Sequence, residues 1–223
     1  MDFSRDTFPL AVYGLRDVFS GFILFLKIWT SNSDPKLIGR WYWEHINNSK
    51  VVSKYLRVDK GTENGHMATI HAYLNQQRED VENVEDTVYF SPSTNNKIER
   101  WWRELYHRLK KFFKRQLRIL LEQGHYDSNN ETDRENLLAY VFIPVIQQEM
   151  DIFRSTIWNS YRVRHQRDAQ MPKGVPNHLY SFPEAYGAEE CGTQVALNEV
   201  AEMSGVLTVG DDFLAPNIRA ECR

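Results

Sequence analysis

The sequence predicts an α/β domain with a mixed sheet flanked by helices, and three observations carry that expectation. Two strand-like segments, 8–16 and 22–29, stand close together near the start, joined at 17–21 by a turn. Helical periodicities and short apolar strands then alternate between 34 and 90. Two long amphipathic stretches follow, 97–124 and 132–158. Strands that alternate with helices after an initial hairpin make a mixed sheet with helices packed on it.

Each element has a local reason. The segment 22–29 is rich in aromatic and branched residues, as a strand is. Asp34 and Pro35 open a helix as N-cap and first-turn proline, and Leu37, Ile38, Trp41, Tyr42 and Ile46 give it an apolar face. A short strand over 54–58 ends at Asp59, and a Gly-containing loop runs from Gly61 to Gly65. Met67, Ile70, His71 and Leu74 mark the next helix; 78–86 is an acidic exposed loop and 87–90 a further strand. The helix from 97 stops at Gly124. Thr132 with Glu135 three residues on reads as a capping box, and Pro144 should kink the helix it opens.

This order predicts a core over 1–124, a helical extension over 125–184 and a poorly ordered acidic tail over 185–223. The chain has 223 residues, 42% of them hydrophobic and 26% charged, which excludes wholesale disorder. Its net charge of -3 gives no global argument for nucleic acid, so any such argument must be local. Two cysteines, Cys191 and Cys222, exclude a disulfide scaffold and a four-cysteine zinc site, and they suit a reducing nuclear or cytoplasmic interior. The longest apolar run, 22–29, contains Lys27 and is too short to span a bilayer, so no membrane partner is expected.

Two segments carry candidate chemistry. In the first, Asp59 follows a strand and precedes Lys60-Gly61-Thr62-Glu63-Asn64-Gly65. Strand ends in open α/β sheets are where sites gather, and glycines let backbone approach a ligand closely. Taken singly, Asp59 is equally well read as a turn cap. In the second, Glu99 sits in the first turn of a helix, where the dipole favours a carboxylate with or without a catalytic role. The pair is more telling. One helix and one strand separate the two acids, which could return the chain to the same sheet edge. From 97 to 118 there are nine lysines and arginines against two glutamates, interleaved with Trp101, Trp102, Tyr106, Phe112 and Phe113. That pattern suits phosphate contacts on one face and core packing on the other, or an ordinary solvated basic face. His66 and His71 have no cysteine or carboxylate at ligand spacing, and read as surface or core histidines.

The Asp-Lys-Gly-Thr-Glu-Asn-Gly loop at 59–65, followed by Asn-Lys-Ile-Glu-Arg-Trp-Trp at 96–102, resembles the integrase core domain family of transposon-derived proteins. Ser31-Asn32-Ser33-Asp34-Pro35, the segment 158–164 and the segment 174–180 extend the resemblance to roughly 8–184. It implies a ribonuclease H-like fold and a triad of two aspartates and a glutamate that holds Mg2+ or Mn2+, with DNA as partner and a homodimer as the usual assembly. The second aspartate maps to Asp59 and the glutamate to Glu99. The first falls at or just before Met1, so that the first strand is expected to be cut short, with Asp2 as the substitute candidate; Asp17 reads as a turn residue. Lys60 stands where the family usually has an uncharged residue. Lys60, Asn64, Lys97, Arg100, Arg103, Lys110, Lys111 and Lys114 are the nucleic-acid-binding candidates. The activity implied is metal-dependent strand cleavage or transfer on transposon-end DNA; the alternative is an inactive, truncated or domesticated copy that binds nucleic acid or a protein.

Overall fold

The computed structural model describes residues 2–4, 7–76, 78–90, 96–130, 132–162 and 172–195, with the side chains of 2–4, 96–100 and 134–136 outside that description. It is a mixed α/β structure in two compact units that interleave in sequence. One comprises Met1–Ser31 with Thr94–Glu190, the other Asn32–Ser93 with Cys191–Arg223.

The first unit is built on an antiparallel sheet of β1 (Asp2–Ser4), β2 (Phe8–Arg16) and β3 (Ile23–Trp29), in that order. β2 and β3 pair from Ala11↔Trp29 to Leu15↔Phe25, with a register shift before Arg16↔Ile23. Asp17 is a turn residue: its Oδ2 accepts from the Ser20 N–H at 2.6 Å and from Ser20 Oγ at 2.5 Å. Phe8, Leu10, Ala11, Val12, Ile23, Leu26 and Ile28 are buried.

Two helical runs complete this unit. α3 (Asn96–Leu105) passes through one turn of i→i+5 bonding, Tyr106–Lys110, into α4 (Lys111–Glu122). Gly124 then adopts φ 74, the left-handed conformation in which glycine ends a helix at no steric cost. The wider turn adds a residue to the buried stripe, which runs Trp101 and Leu105, then Phe113 and Leu117. Lys110 is carried inward and is buried, its Nζ 5.5 Å from the Tyr106 ring centroid. It was named as a candidate for phosphate contact, and in the fold it packs against this ring.

The second run contains α5 (Ile143–Ile152) between two segments of i→i+5 bonding, Asp133–Phe142 and Phe153–Trp158. Thr132 is not the expected cap. It is already helical, at φ -60 and ψ -43, and its N–H donates to Asn130 Oδ1 at 3.0 Å, so Asn130 supplies the acceptor. Pro144 marks the change from wide to α bonding, where its missing N–H would otherwise interrupt the ladder. This helix hydrogen-bonds β3 with its side chains. Gln147 Nε2 donates to the Leu26 carbonyl at 2.9 Å, and Gln147 Oε1 accepts from the Ile28 N–H at 3.1 Å. Arg154 Nη1 donates to the Leu24 carbonyl at 3.3 Å. Polar side chains thus satisfy an edge that another strand would otherwise claim. α6 (Pro176–Ser181) follows.

In the second unit, α1 (Pro35–Ser49) starts at Asp34, whose Oδ1 accepts from the Lys36 N–H at 2.9 Å. Leu37, Ile38, Trp41, Tyr42 and Ile46 are buried as the periodicity predicts. α1 packs on α2 (Gly65–Asn75), close enough at Gly39 that an added Cβ would lie 2.8 Å from the His66 Cβ. The strand expected over 54–58 is instead two, β4 (Val51–Ser53) and β5 (Leu56–Val58). β5 pairs in parallel with β6 (Val88–Phe90). β4 pairs antiparallel with β7 (Gly192–Gln194), and the Lys54 N–H donates to the Cys191 carbonyl at 3.0 Å. Of the tail expected from 185, residues as far as Val195, itself buried, are described, and 196–223 lie outside the described residues. Among the described residues no helix is long and apolar enough to cross a membrane.

Candidate functional site

The loop that begins at Asp59 takes its shape from β5. Leu56 and Val58 are buried, Arg57 between them is exposed, and the chain leaves the carboxyl end of a parallel strand at an exposed Asp59. Asn64 closes the loop. It is buried, its Nδ2 donates to the Asp59 carbonyl at 3.1 Å, and its backbone N–H donates to the Gly61 carbonyl at 3.3 Å. Asn64 was expected to contact nucleic acid; in the fold its amide braces the loop. The Glu63 carboxylate lies against Gly61 where a Cβ would stand, a contact that rotation of this flexible side chain would relieve. Gly65 differs: an added Cβ meets nothing within 4 Å, so the surface at the start of α2 is open.

Lys60 is exposed beside Asp59. Asp59, Lys60 and Asn64 are therefore brought together in one loop at a strand end. His71 is a core residue. Its Nδ1 lies 2.7 Å from the Tyr42 hydroxyl and its Nε2 lies 3.4 Å from the Lys54 carbonyl. Burial pushes its pKa down to about 4, so the imidazole is neutral and accepts from Tyr42 while Nε2–H faces the carbonyl. Burial also raises the Tyr42 hydroxyl well above the usual tyrosine range, which keeps it a donor.

Glu99 lies in the first turn of α3 by its backbone, and Asp2 lies in β1 opposite Ala11. The side chains of Asp2, Lys97, Glu99 and Arg100 are outside the described residues. Asp59 and Glu99 belong to different compact units. Arg103 and Lys111 are exposed and Lys114 is half-buried, all on the α3–α4 run.

A divalent metal requires hard oxygen donors, and the exposed Asp59 carboxylate is one. Among the described residues no group of three His, Cys, Asp or Glu side chains is placed to hold an ion. The described side chains thus offer one donor of the expected triad, and the side chains of the other two candidates lie outside the description.

Sequence reasoning missed Asn159. It is buried at the end of the last long helical run; its Oδ1 accepts from the Ile23 N–H at 2.9 Å and its Nδ2 donates to the Ile23 carbonyl at 3.1 Å. The signal was a lone amide within the Trp-Asn-Ser-Tyr-Arg segment at 158–162. It also missed the exposed tyrosines on β6 and beside β5.

Compared with known families, the chain matches the integrase core domain over residues 5–181. No curated protein matches it, and no solved structure does.

Proposed function

The chain belongs to the integrase core domain family, and from that premise we propose that it is a ribonuclease H-like core that cleaves or transfers phosphodiester strands of DNA, as integrases and transposases do. One observation carries the reading. The family match includes the Asp59 loop, and Asp59 emerges exposed from the carboxyl end of a parallel strand, the usual location of sites in α/β sheets. Asp59 and Glu99, with Asp2 as third candidate, would hold Mg2+ or Mn2+. The metal would neutralise charge at phosphorus and make a water or a DNA 3′-hydroxyl a better nucleophile.

The other residues bind and orient. Asn64 fixes the backbone that carries Asp59. Lys60, Lys97, Arg100, Arg103, Lys111 and Lys114 supply cations for the DNA backbone, which would bind with the salt dependence that phosphate neutralisation brings. A homodimer is the assembly this reading favours.

The test is nicking of supercoiled plasmid with Mn2+ or Mg2+, against a chelated control. Asp59→Asn and Glu99→Gln should each abolish it, and Asp2→Asn decides whether that residue completes the triad. A wild-type protein that binds DNA but shows no metal-dependent cleavage overturns the catalytic reading in favour of a non-catalytic copy that binds nucleic acid or a protein.

A further inference from the structure

Parallel strands are ordinarily covered on both faces. In the β5–β6 ladder one face holds the buried Leu56 and Val58, with Phe90, the partner of Val58, 46% exposed at its end, and the other face is open. Its register pairs Leu56 with Val88, Arg57 with Tyr89 and Val58 with Phe90. Leu56 and Val58 are buried, whereas Tyr55 is 53% exposed, Tyr89 46% exposed, and Arg57, the register partner of Tyr89, is exposed. The Tyr55 and Tyr89 rings are 5.6 Å apart and inclined at 60°. Large aromatic rings held in the open on a strand pair that also carries an exposed arginine suit a partner that is flat and anionic.

The surrounding charges favour that partner. Lys54 Nζ lies 5.5 Å from the Tyr55 ring centroid and 2.9 Å from Asp80. Arg78 also binds Asp80, at 2.8 Å, so two cations engage this carboxylate. The exposed acids Glu85 and Asp86 precede β6, at the end of the ladder away from Asp59. Arg57 and the exposed Lys60 lie toward the Asp59 end.

We propose that this face is a stacking platform for unpaired bases of a DNA strand, with bases on Tyr55 and Tyr89 and phosphates at Arg57 and Lys60. Rings stack on any base, so the platform would be indifferent to sequence and would prefer single strands to duplex. Asp59 lies two residues beyond Arg57 on the same chain segment, so a strand on the platform would lead to the proposed cleavage site; the inference rests to that extent on the catalytic reading.

The experiment uses the full chain with a fluorescent oligothymidylate and a duplex of equal length, both followed by anisotropy without divalent metal. A 2-aminopurine-substituted strand reports stacking directly by quenching. Y55A/Y89A should weaken single-strand binding at least about tenfold and abolish the quenching, while duplex binding changes much less. Y55F/Y89F keeps the rings and should retain both signals, which separates stacking from loss of folding. Arg57→Gln should lower the salt slope by about one. Unchanged single-strand affinity in Y55A/Y89A overturns the proposal, as does a loss in Y55F/Y89F equal to that in Y55A/Y89A. Altered sedimentation of Y55A/Y89A with unaltered DNA binding also overturns it, and assigns the face to contact between copies. The binding assay contains no divalent metal and the cleavage assay requires it, so a failed cleavage assay and a failed platform are distinguishable.

Discussion

The Tyr42 hydroxyl and His71 Nδ1 lie 2.7 Å apart with both side chains fully buried, one on α1 and the other on α2. This bond ties together the two helices that flank the Asp59 loop's strand. Tyr42→Phe leaves the ring packing but strands a buried imidazole nitrogen. Chemical denaturation should register a loss of about 1–3 kcal/mol.

The same histidine sets a pH dependence. Its folded pKa is about 4, below the ordinary 6.5. The unfolded chain therefore takes up the proton first as pH falls. The associated stability is fully present above about pH 6.5 and is lost progressively as pH drops toward 4, on the order of 3 kcal/mol in all. Denaturation midpoints measured across that window should fall for the wild type. His71→Gln should have a shallower profile, since carboxylate titrations are common to both proteins.

Asn159 makes two hydrogen bonds to one residue, Ile23, at the start of β3. Asn159→Ala orphans a buried N–H and a buried carbonyl together, at a cost of about 2–4 kcal/mol. Asn159→Asp should be no better, because it keeps one acceptor but loses the donor and buries a charge. Urea unfolding of both variants checks this, with Ser160→Ala on the exposed neighbour as a control.

Asn64 separates bracing from binding. If its buried amide only holds the loop, Asn64→Ala should lower stability by about 1–2 kcal/mol. It should also lower cleavage, while the salt slope of DNA binding stays unchanged. A reduced slope would instead place this residue in the DNA contact.

If the α3–α4 run contacts DNA as proposed, burial selects which of its cations take part. Arg103→Gln and Lys111→Gln should each reduce the salt slope by about 0.9. Lys110→Gln should leave the slope alone and lower thermal stability, since Lys110 is buried over the Tyr106 ring.

Much of this was legible in the chain. The hairpin over β2 and β3, the Asp34-capped helix with its five buried apolar residues, and the α2 face of Met67, Ile70, His71 and Leu74 follow from local periodicity and capping. Those signals lie within a few residues of one another, and short-range sterics and hydrogen bonding enforce them. The Asp59 loop and its glycines were legible for the same reason, although the Asn64 brace was not, because an asparagine in a loop reads alike whether it turns inward or outward.

The sequence by itself determined the succession of hairpin, helix, strand, helix, strand and long helix, the family resemblance and the candidacy of Asp59 and Glu99. Tertiary structure alone decided that Phe113 and not Phe112 is buried, that Lys110 turns inward, that 192–194 pairs with β4, and that Gln147, Arg154 and Asn159 satisfy β3. The physical reason is range. One added residue in a helical turn rotates every later side chain, and a strand edge accepts whichever donor the packing brings to it, and neither outcome leaves a mark in the neighbouring residues.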